Sequence, residues 1–487
     1  MTTFDIDQAH DAALDGIDAR RLETCLEVLA ESEELPVDHP HVLLLRRATS
    51  RLYKDVKLGR RKARRDAISA ADRDVVAATA TGAPDRIDDE TRGVILTASS
   101  ERPTVGLLQR ARPCYICKER YTQVDAFYHQ LCQSCAAMSH AKRTARTDLT
   151  GKRALLTGGR AKIGMYIALR LLRDGAHTTI TTRFPTDATR RFLSMHDSAQ
   201  WIDRLRIVGI DLRDPAQVLA LADSVSDAGP LDILINNAAQ TVRRTSGSYA
   251  ALISAEAAPL PAGPLPEVLN FGHSNAPIPA ALAGAAADES LRAHALTALA
   301  LTSGAASLDR VAAGTAIDAG GLVPDLDAVN SWTRRVHEVD ALEVLEVQLC
   351  NVTAPFVLVS RLRPALAAAT ARRKYVVNVS AMEGQFGRGY KGPGHPHTNM
   401  AKAALNMLTR TSAAEMLSDG ILMTSVDTGW ITDERPHPTK ARLADEGFHA
   451  PLDLVDGAAR VYDPIVRGEA GEDVYGCFLK DYAPFPW

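Results

Sequence analysis

The sequence predicts an α/β protein whose larger part is a doubly wound parallel sheet, preceded by a helical N-terminal region and a small zinc module. Three observations support this prediction: strand and helix patterns alternate from Leu149 onward, leucines recur at helical spacing near the start, and paired cysteines separate these two regions. The 487 residues also exceed what one hydrophobic core usually holds. We therefore expect a helical region over residues 1–105, a zinc module over 106–148 and a sheet domain over 149–487.

The composition is that of an ordinary globular protein. Hydrophobic residues make up 46% of the chain, charged residues 24%, and the net charge is -3 at pH 7. This balance argues against a nucleic-acid coat protein. The first twenty residues lack the apolar run and cleavage site of a secretory signal, and no segment has the pattern of a transmembrane helix. We predict a cytoplasmic protein without a membrane partner.

The N-terminal region carries helical signals and one basic stretch. Leu22, Leu26 and Leu29 recur at spacings of four and three residues. Residues 51–65 hold eight basic side chains against one acidic side chain. Such a stretch could bind phosphate or an acidic partner, but charge runs more often form a solvated helix face. The overall acidity of the chain also argues against a nucleic-acid partner.

Four cysteines follow the pattern C-x2-C-x14-C-x2-C: Cys114, Cys117, Cys132 and Cys135. Each C-x2-C can present two thiolates to one tetrahedral ion, and the residues between could form a hairpin that returns the second pair to the first. Four thiolates leave no open coordination position, so we predict a structural zinc site. The alternatives are chance cysteines or a redox C-x2-C, and His129 and His140 are spare candidate ligands.

Seven strand candidates alternate with helices after residue 149 and should form the doubly wound sheet. They cover residues 153–157, 177–182, 205–210, 231–236, 374–379, 421–426 and 474–479. Residues 240–331 interrupt this alternation and are rich in alanine and proline. That composition favours loops and short helices over sheet, so we interpret the segment as an insertion.

A glycine-rich turn follows the first predicted strand, with the sequence Thr157-Gly158-Gly159-Arg160-Ala161-Lys162-Ile163-Gly164. Between a strand and a helix, such a turn brings backbone N–H groups and the helix N-terminus up to a pyrophosphate. Further motifs follow in a fixed order: Asp211-Leu212, Asn236-Asn237-Ala238-Ala239, Asn351, Ser380, Ala401-Lys402-Ala403-Ala404 and Val426-Asp427-Thr428-Gly429-Trp430-Ile431. One glycine turn is a weak signal, but the ordered set is a strong one.

This ordered set resembles the short-chain dehydrogenase/reductase superfamily over residues 151–487. The resemblance implies a Rossmann fold and an NAD(P)-dependent oxidoreductase that acts on a small-molecule carbonyl or alcohol. It also implies a homo-oligomer that pairs through the helices containing Asn351 and Lys402. It assigns the cofactor to these residues: Thr157, Gly158, Gly159, Arg160, Lys162, Ile163, Gly164, Thr182, Arg183, Asp211, Leu212, Asn237, Ala238, Ala239, Lys402, Thr428 and Gly429.

Basic residues near the glycine turn favour NADP(H) over NAD(H). Thr182-Arg183 follows the second strand, where an NAD-specific member of the family usually carries an acidic residue. A guanidinium pairs well with the 2'-phosphate of NADP(H). Lys162, at the family's middle glycine, and nearby Arg160 are the candidates for a second cation at a phosphate.

The resemblance places Ser380, Lys402 and Asn351 at three of the family's four catalytic positions. The fourth position, four residues before Lys402, holds Thr398 instead of the family's tyrosine. An aliphatic hydroxyl is a poor proton donor because its pKa lies several units above that of a phenol.

Two residues in the preceding loop could replace the missing phenol. Tyr390 could bring its own phenol into the vacant place, and His397 could act as a general acid near neutral pH. Glu383, three residues after Ser380, is another acid candidate. Our leading hypothesis is an NADP(H)-dependent oxidoreductase with an atypical proton donor. The alternative is a catalytically silent NADP(H)-binding protein that regulates or scaffolds a partner.

Overall fold

The structure, a computed structural model, describes residues 16–84, 86, 104–244, 246–271, 321–323, 327–432 and 434–487. Helices and strands are numbered below over these residues. Contacts divide the chain into two compact units, Met1–Asp72 and Arg73–Trp487. The domain boundaries near residues 105 and 148 stay a prediction.

The N-terminal region is helical, as predicted. It contains α1 (Ala19–Glu31) and α2 (Pro40–Ala77). The side chain of Asp18 caps α1 by accepting the N–H of Arg21 at 3.1 Å, which satisfies one of the free donors at the helix start. The basic residues 51–65 lie within α2 and are exposed, as in a solvated helix face.

The cysteine module consists of a hairpin and one helix. Strands β1 (Thr104–Pro113) and β2 (Arg120–Asp125) pair antiparallel and are followed by α3 (Gln133–Thr144). The first C-x2-C occupies the hairpin turn, and Cys132 is the N-cap of α3. The expectation of a complete hairpin between the two cysteine pairs was therefore wrong, because the first strand of the hairpin precedes Cys114.

The central sheet has nine strands in the described chain, in the order β11-β10-β9-β8-β6-β3-β4-β5-β7. The strands are β3 (Arg153–Leu156), β4 (His177–Thr182), β5 (Leu205–Gly209), β6 (Ile233–Asn236), β7 (Glu267–Asn270), β8 (Lys374–Ser380), β9 (Ile421–Asp427), β10 (Phe478–Lys480) and β11 (Ala483–Phe485). All neighbouring pairs are parallel except β10 and β11. The doubly wound parallel sheet is confirmed, and each of the seven predicted strands overlaps an observed strand.

Two edge strands were not predicted. Strand β7 lies in the insertion and pairs in parallel with β5, which corrects the expectation that the whole segment avoids sheet. Its residues are mostly exposed, so it lacks the apolar run by which a buried strand is recognised. Strand β11 returns on β10 through Asp481 and Tyr482, both at positive φ. Residues 272–320 of the insertion lie outside the described residues.

Helices cover both faces of the sheet. Helices α4 (Lys162–Arg173), α5 (Pro185–Leu193) and α12 (Leu454–Glu469) pack on one face, and α6 (Pro215–Asp227), α9 (Ala354–Ala367) and α10 (Pro396–Met416) pack on the other. Alternation along β8 separates the two cores, since Val377 and Val379 join the first and Val376 joins the second. The shorter helices are α7 (Ala250–Ala257), α8 (Ala341–Gln348) and α11 (His437–Asp445).

One continuous helical stretch, Ala341–Ala367, is long and apolar enough to cross a membrane by length and composition. It is the one such stretch in the described ranges, and half of its most apolar window is buried in the fold. It joins α8 and α9 through a π-helical segment, Leu349–Thr353, and packs on α6 and β8. We therefore interpret it as a core helix of the sheet domain.

Candidate active site and cofactor site

The glycine turn closes tightly between β3 and α4. Gly158 has a φ of +72°, and a Cβ at Gly164 would lie 2.0 Å from the carbonyl oxygen of Gly158, so both positions require glycine. The Asn237 side-chain amide donates to the carbonyl oxygens of Thr157 and Gly158 at 3.0 and 3.1 Å. The N-cap residue Ala161 has no side-chain acceptor, and a helix start of this kind suits a pyrophosphate.

Lys162, at the family's middle glycine, has a backbone conformation that favours glycine. Its φ of +53° lies in the left-handed region, which costs a residue with a side chain about 1–2 kcal/mol. The substitution therefore adds an ammonium group to a loop whose backbone still has the glycine conformation.

Arg183 follows β4 and contacts the insertion. Its Nη2 donates to the hydroxyl of Tyr249 at 3.1 Å, and the guanidinium lies 5.1 Å from the centre of that ring. This is the one hydrogen bond of Arg183 within the described residues, and its acceptor is neutral. By contrast, Arg160 forms an ion pair with Asp187 at 2.6 Å.

A carboxylate from the insertion caps the start of α5, beside these arginines. The two oxygens of Glu256 accept the N–H groups of Thr186 and Asp187 at 2.8 and 2.9 Å. Neither Tyr249 nor Glu256 was predicted from the sequence, because neither stands at a recognisable spacing from the residues that it contacts.

Most of the remaining predicted cofactor residues lie just after β5, β6 and β9, whereas Thr182 ends β4 and Ile163 belongs to α4. The Asp211 carboxylate accepts the backbone N–H of Arg213 at 3.0 Å and its guanidinium Nη2 at 2.6 Å. Burial raises the pKa of Asp211, but the hydrogen bonds and charge of Arg213 outweigh it and lower that pKa. The backbone N–H groups of Asn237 and Ala238 both donate to the Thr157 hydroxyl at 3.0 Å. The others are Ile163, Thr182, Leu212, Ala239, Thr428 and Gly429, of which Ala239 is exposed.

Ser380 and Lys402 are buried together where β8 meets α10. The Ser380 hydroxyl donates to Oδ1 of Asn406 at 2.7 Å, and the Lys402 ammonium donates to the carbonyl oxygen of Val379 at 2.8 Å. Burial lowers the pKa of Lys402 to about 8, against the opposing effect of the nearby Glu383 carboxylate. Lysine has three donors, so two remain for a ligand.

Asn351 lies in the π-helical segment and fixes the loop after β6. The N–H of Gln240 donates to Oδ1 of Asn351 at 2.7 Å, and Nδ2 of Asn351 donates to the carbonyl oxygen of Gln240 at 3.0 Å. Single π-helical turns are frequent at functional sites, because the widened turn re-aims a side chain.

The candidates for the missing phenol lie in different environments. Thr398 is buried, and its hydroxyl makes no hydrogen bond in the described part of the chain. His397 is buried, with Nε2 at 3.4 Å from Oε1 of Glu343 on α8. The Tyr390 side chain is 77% exposed. The structure thus brings Ser380 and the start of α10 together and leaves Tyr390 at the surface.

The sulfur atoms of the four predicted metal ligands, Cys114, Cys117, Cys132 and Cys135, lie within 4.8 Å of one another. The N–H of Cys132 approaches the sulfur of Cys114 at 3.3 Å, a contact that suits a thiolate. A convergent set of four thiols fits a tetrahedral zinc ion. His129 and His140 instead contact Thr81 and Asp125.

The cysteine module packs against the segment that follows β9. The N–H of Trp430 donates to the hydroxyl oxygen of Tyr115 at 2.9 Å, and Arg143 forms a buried ion pair with Asp453 at 2.6 Å. Apolar side chains of the module join the same cluster as Ile431. The module therefore supports the wall of the candidate active site.

Comparison with known proteins identifies the family. Residues 152–252 match the family model for short chain dehydrogenase. Uncharacterized protein R665 of Acanthamoeba polyphaga mimivirus is 30% identical over 375 residues, which cover 73% of this chain and 71% of the viral protein. The chain belongs to the short-chain dehydrogenase/reductase superfamily. The recognition made from the ordered motifs is thus confirmed.

Two further proteins are similar to parts of this chain. A Streptomyces lividans protein named Probable oxidoreductase is 41% identical over 93 residues, which cover 19% of this chain and 29% of that protein. Among solved structures, the Pseudomonas aeruginosa RhlG/NADP active-site complex is 19% identical, covers 68% of this chain and 95% of its own chain, and has a TM-score of 0.42.

Proposed function

We propose that this short-chain dehydrogenase/reductase transfers hydride between NADP(H) and the carbonyl or alcohol group of a small molecule. The observation that carries the proposal is the buried cluster of Ser380 and Lys402 at the end of β8. It lies at the same carboxyl-terminal side of the sheet as the turn that keeps Gly158 and Gly164. Membership of the superfamily, and relatives named as oxidoreductases, support the reaction class.

Each side chain has a role that its contacts support. The nicotinamide, when bound, supplies or accepts the hydride. Ser380 has one hydroxyl proton, which Asn406 accepts in this structure, so it would orient the substrate oxygen by turning that donor from Asn406 to the substrate. Lys402 holds the ribose with its remaining donors, and Asn351 fixes the loop that borders the cofactor. The deeply buried position of Lys402 excludes water and strengthens its electrostatic effect on bound groups.

Arg183 should determine the preference for NADPH, because its charge faces a neutral phenol whereas that of Arg160 is already paired. Arg183→Ala is expected to weaken NADPH binding about tenfold to a hundredfold, the value of a hydrogen bond between charged groups, and to leave NADH binding nearly unchanged. Fluorescence titration with both nucleotides measures this. Arg173→Ala, at the far end of α4 and paired with Asp197, is the control. Equal losses for both nucleotides would refute the assignment.

We further propose that the four thiolates hold one structural zinc ion. Their convergence and their closed set of four donors support this role. Free thiols in such a cluster suit a reducing compartment, and we expect the protein in the cytoplasm. The pairing of copies through the helices that contain Asn351 and Lys402 stays a proposal.

The second candidate function is a silent NADP(H) sensor, favoured by Thr398 at the position of the family's tyrosine. Two measurements separate the candidates: detection of nucleotide in the purified protein by mass spectrometry, and NADPH oxidation over a panel of carbonyl compounds. A protein that binds NADPH, never oxidises it, and gains activity in Thr398→Tyr would be a sensor.

A further inference from the structure

A buried carboxyl group, that of Asp427, stands beside Ser380 at the edge of the sheet. Ser380 and Asp427 are the last residues of β8 and β9, and they are direct partners in the parallel register. Partners in parallel strands direct their side chains to the same face, and neighbouring strands lie about 4.8 Å apart. Asp427 is therefore next to the serine that orients the substrate oxygen.

The residues two positions before Ser380 and Asp427 show which face of the sheet these two side chains occupy. Asn378 and Ser425, two residues before Ser380 and Asp427, both hydrogen-bond to the hydroxyl of Thr409 on α10, at 2.9 and 2.7 Å. Because side chains alternate along a strand, Ser380 and Asp427 lie on the same α10 side as these two residues. That side also carries Lys402.

The Asp427 carboxyl group is buried, and no hydrogen bond to it comes from the part of the chain that the structure describes. Asp427 is 5% exposed. The charged groups that face it are Arg460, Lys480, Asp481 and Glu383, with the phenol of Tyr115 close by.

The nearby cations are already engaged by another carboxylate. Arg460 pairs with Asp481 at 3.2 Å, and Lys480 pairs with the same carboxylate at 2.5 Å. An acid in such a place favours its neutral, protonated form. Burial and the charge of Asp481 accordingly raise the pKa of Asp427 to about 6, despite Arg460 and Lys480.

We propose that Asp427 is the proton donor that replaces the missing phenol of the family, an inference that rests on the reductase function proposed above. In the reduction, the carbonyl carbon gains a hydride, and hence two electrons, from the dihydronicotinamide. The carbon–oxygen π bond breaks toward oxygen, and that oxygen takes the proton of Asp427. The carbonyl is reduced to an alcohol, the nicotinamide is oxidised, and the carboxylate is reprotonated from water.

Asp427→Asn tests the proposal because it removes the acidic proton with almost no change in shape. The expected result is a fall in kcat of roughly a hundredfold or more, the usual size of a lost general acid, with NADPH binding unchanged. For the parent protein, the rate of carbonyl reduction should fall as pH rises through about 6, since the donor must be protonated. The variant should lose this dependence.

Asp481→Asn is the matched control, because it removes a carboxylate of the same cluster that is not the donor. Without the negative charge of Asp481, the pKa of Asp427 should fall. The decrease in kcat with rising pH should therefore occur at lower pH than in the parent protein. The kcat reached at low pH should stay that of the parent protein. An equal collapse of kcat at every pH in Asp481→Asn would mean that the cluster acts structurally, and would overturn the proposal.

The outcomes separate this proposal from the function on which it rests. If the parent protein binds no nucleotide and reduces no carbonyl compound of the panel, both the reductase function and the role of Asp427 are ruled out. An active parent protein whose Asp427→Asn variant keeps its rate and pH dependence removes the Asp427 proposal alone. A selective loss of rate in Tyr390→Phe or His397→Gln, with Asp427→Asn active, would assign the proton to that residue.

Discussion

Lys402→Met is expected to abolish turnover, with a fall of roughly a hundredfold or more in kcat. Methionine keeps most of the length of the side chain but removes the ammonium that bonds Val379 and should hold the nicotinamide ribose. Nucleotide affinity should also fall, about tenfold or more, because a charged donor is lost from a buried site. Steady-state kinetics and nucleotide titration measure the two effects separately.

Arg410→Met is the control for Lys402→Met, since Arg410 is an exposed cation on the same helix α10. Its kinetics should match those of the parent protein. A Lys402→Met variant that retains both NADPH affinity and turnover would contradict the assignment of the cofactor to this edge of the sheet. Nucleotide binding without turnover in the parent protein itself would instead support the sensor.

Most strands could be predicted because they are largely buried and rich in apolar or β-branched residues, such as the threonines of β4. The prediction for β4, residues 177–182, matches its observed bounds. The glycine turn could also be predicted, because its conformation depends on a few consecutive residues. Gly158 and Lys162 both have positive φ. Positions fixed by a few consecutive residues are those that a sequence reveals best.

Contacts between distant parts of the chain could not be predicted. The hydrogen bond between Trp430 and Tyr115 joins residues 315 positions apart, and that of Arg183 with Tyr249 spans 66 positions. No periodic pattern in the sequence indicates which distant residues contact each other. The packing of the cysteine module against the segment after β9 could therefore not be predicted, and neither could the contact of the insertion with Arg183.

Asp427 is a residue whose position in a motif was evident from the sequence but whose function was not. It was part of the motif at residues 426–431 that supports the resemblance to the family, but no role was predicted for it. The available signal was an acid at the last position of an apolar strand, Ile421–Asp427. Only the register with β8 shows that this position faces the same side as Ser380.

Cys114→Ser is expected to release the metal and to loosen the module together with part of the active-site wall. The parent protein should carry about one zinc per chain, and the variant much less, because three thiolates bind zinc more weakly than four. Hydrogen exchange should then increase in β1, β2 and α3, whose packing depends on the cysteine cluster. It should also increase at Trp430, whose N–H donates to Tyr115, a direct neighbour of Cys114.

Cys25→Ser is the matched control, because Cys25 is an exposed cysteine of α1 outside the cluster. Zinc content and exchange rates should remain those of the parent protein in this variant. Metal analysis that finds iron, or no metal, in the parent protein would refute the zinc assignment. If zinc is lost while exchange at Trp430 stays slow, the module holds its metal independently, and packing around Ile431 and the Arg143–Asp453 ion pair suffices to fix the wall.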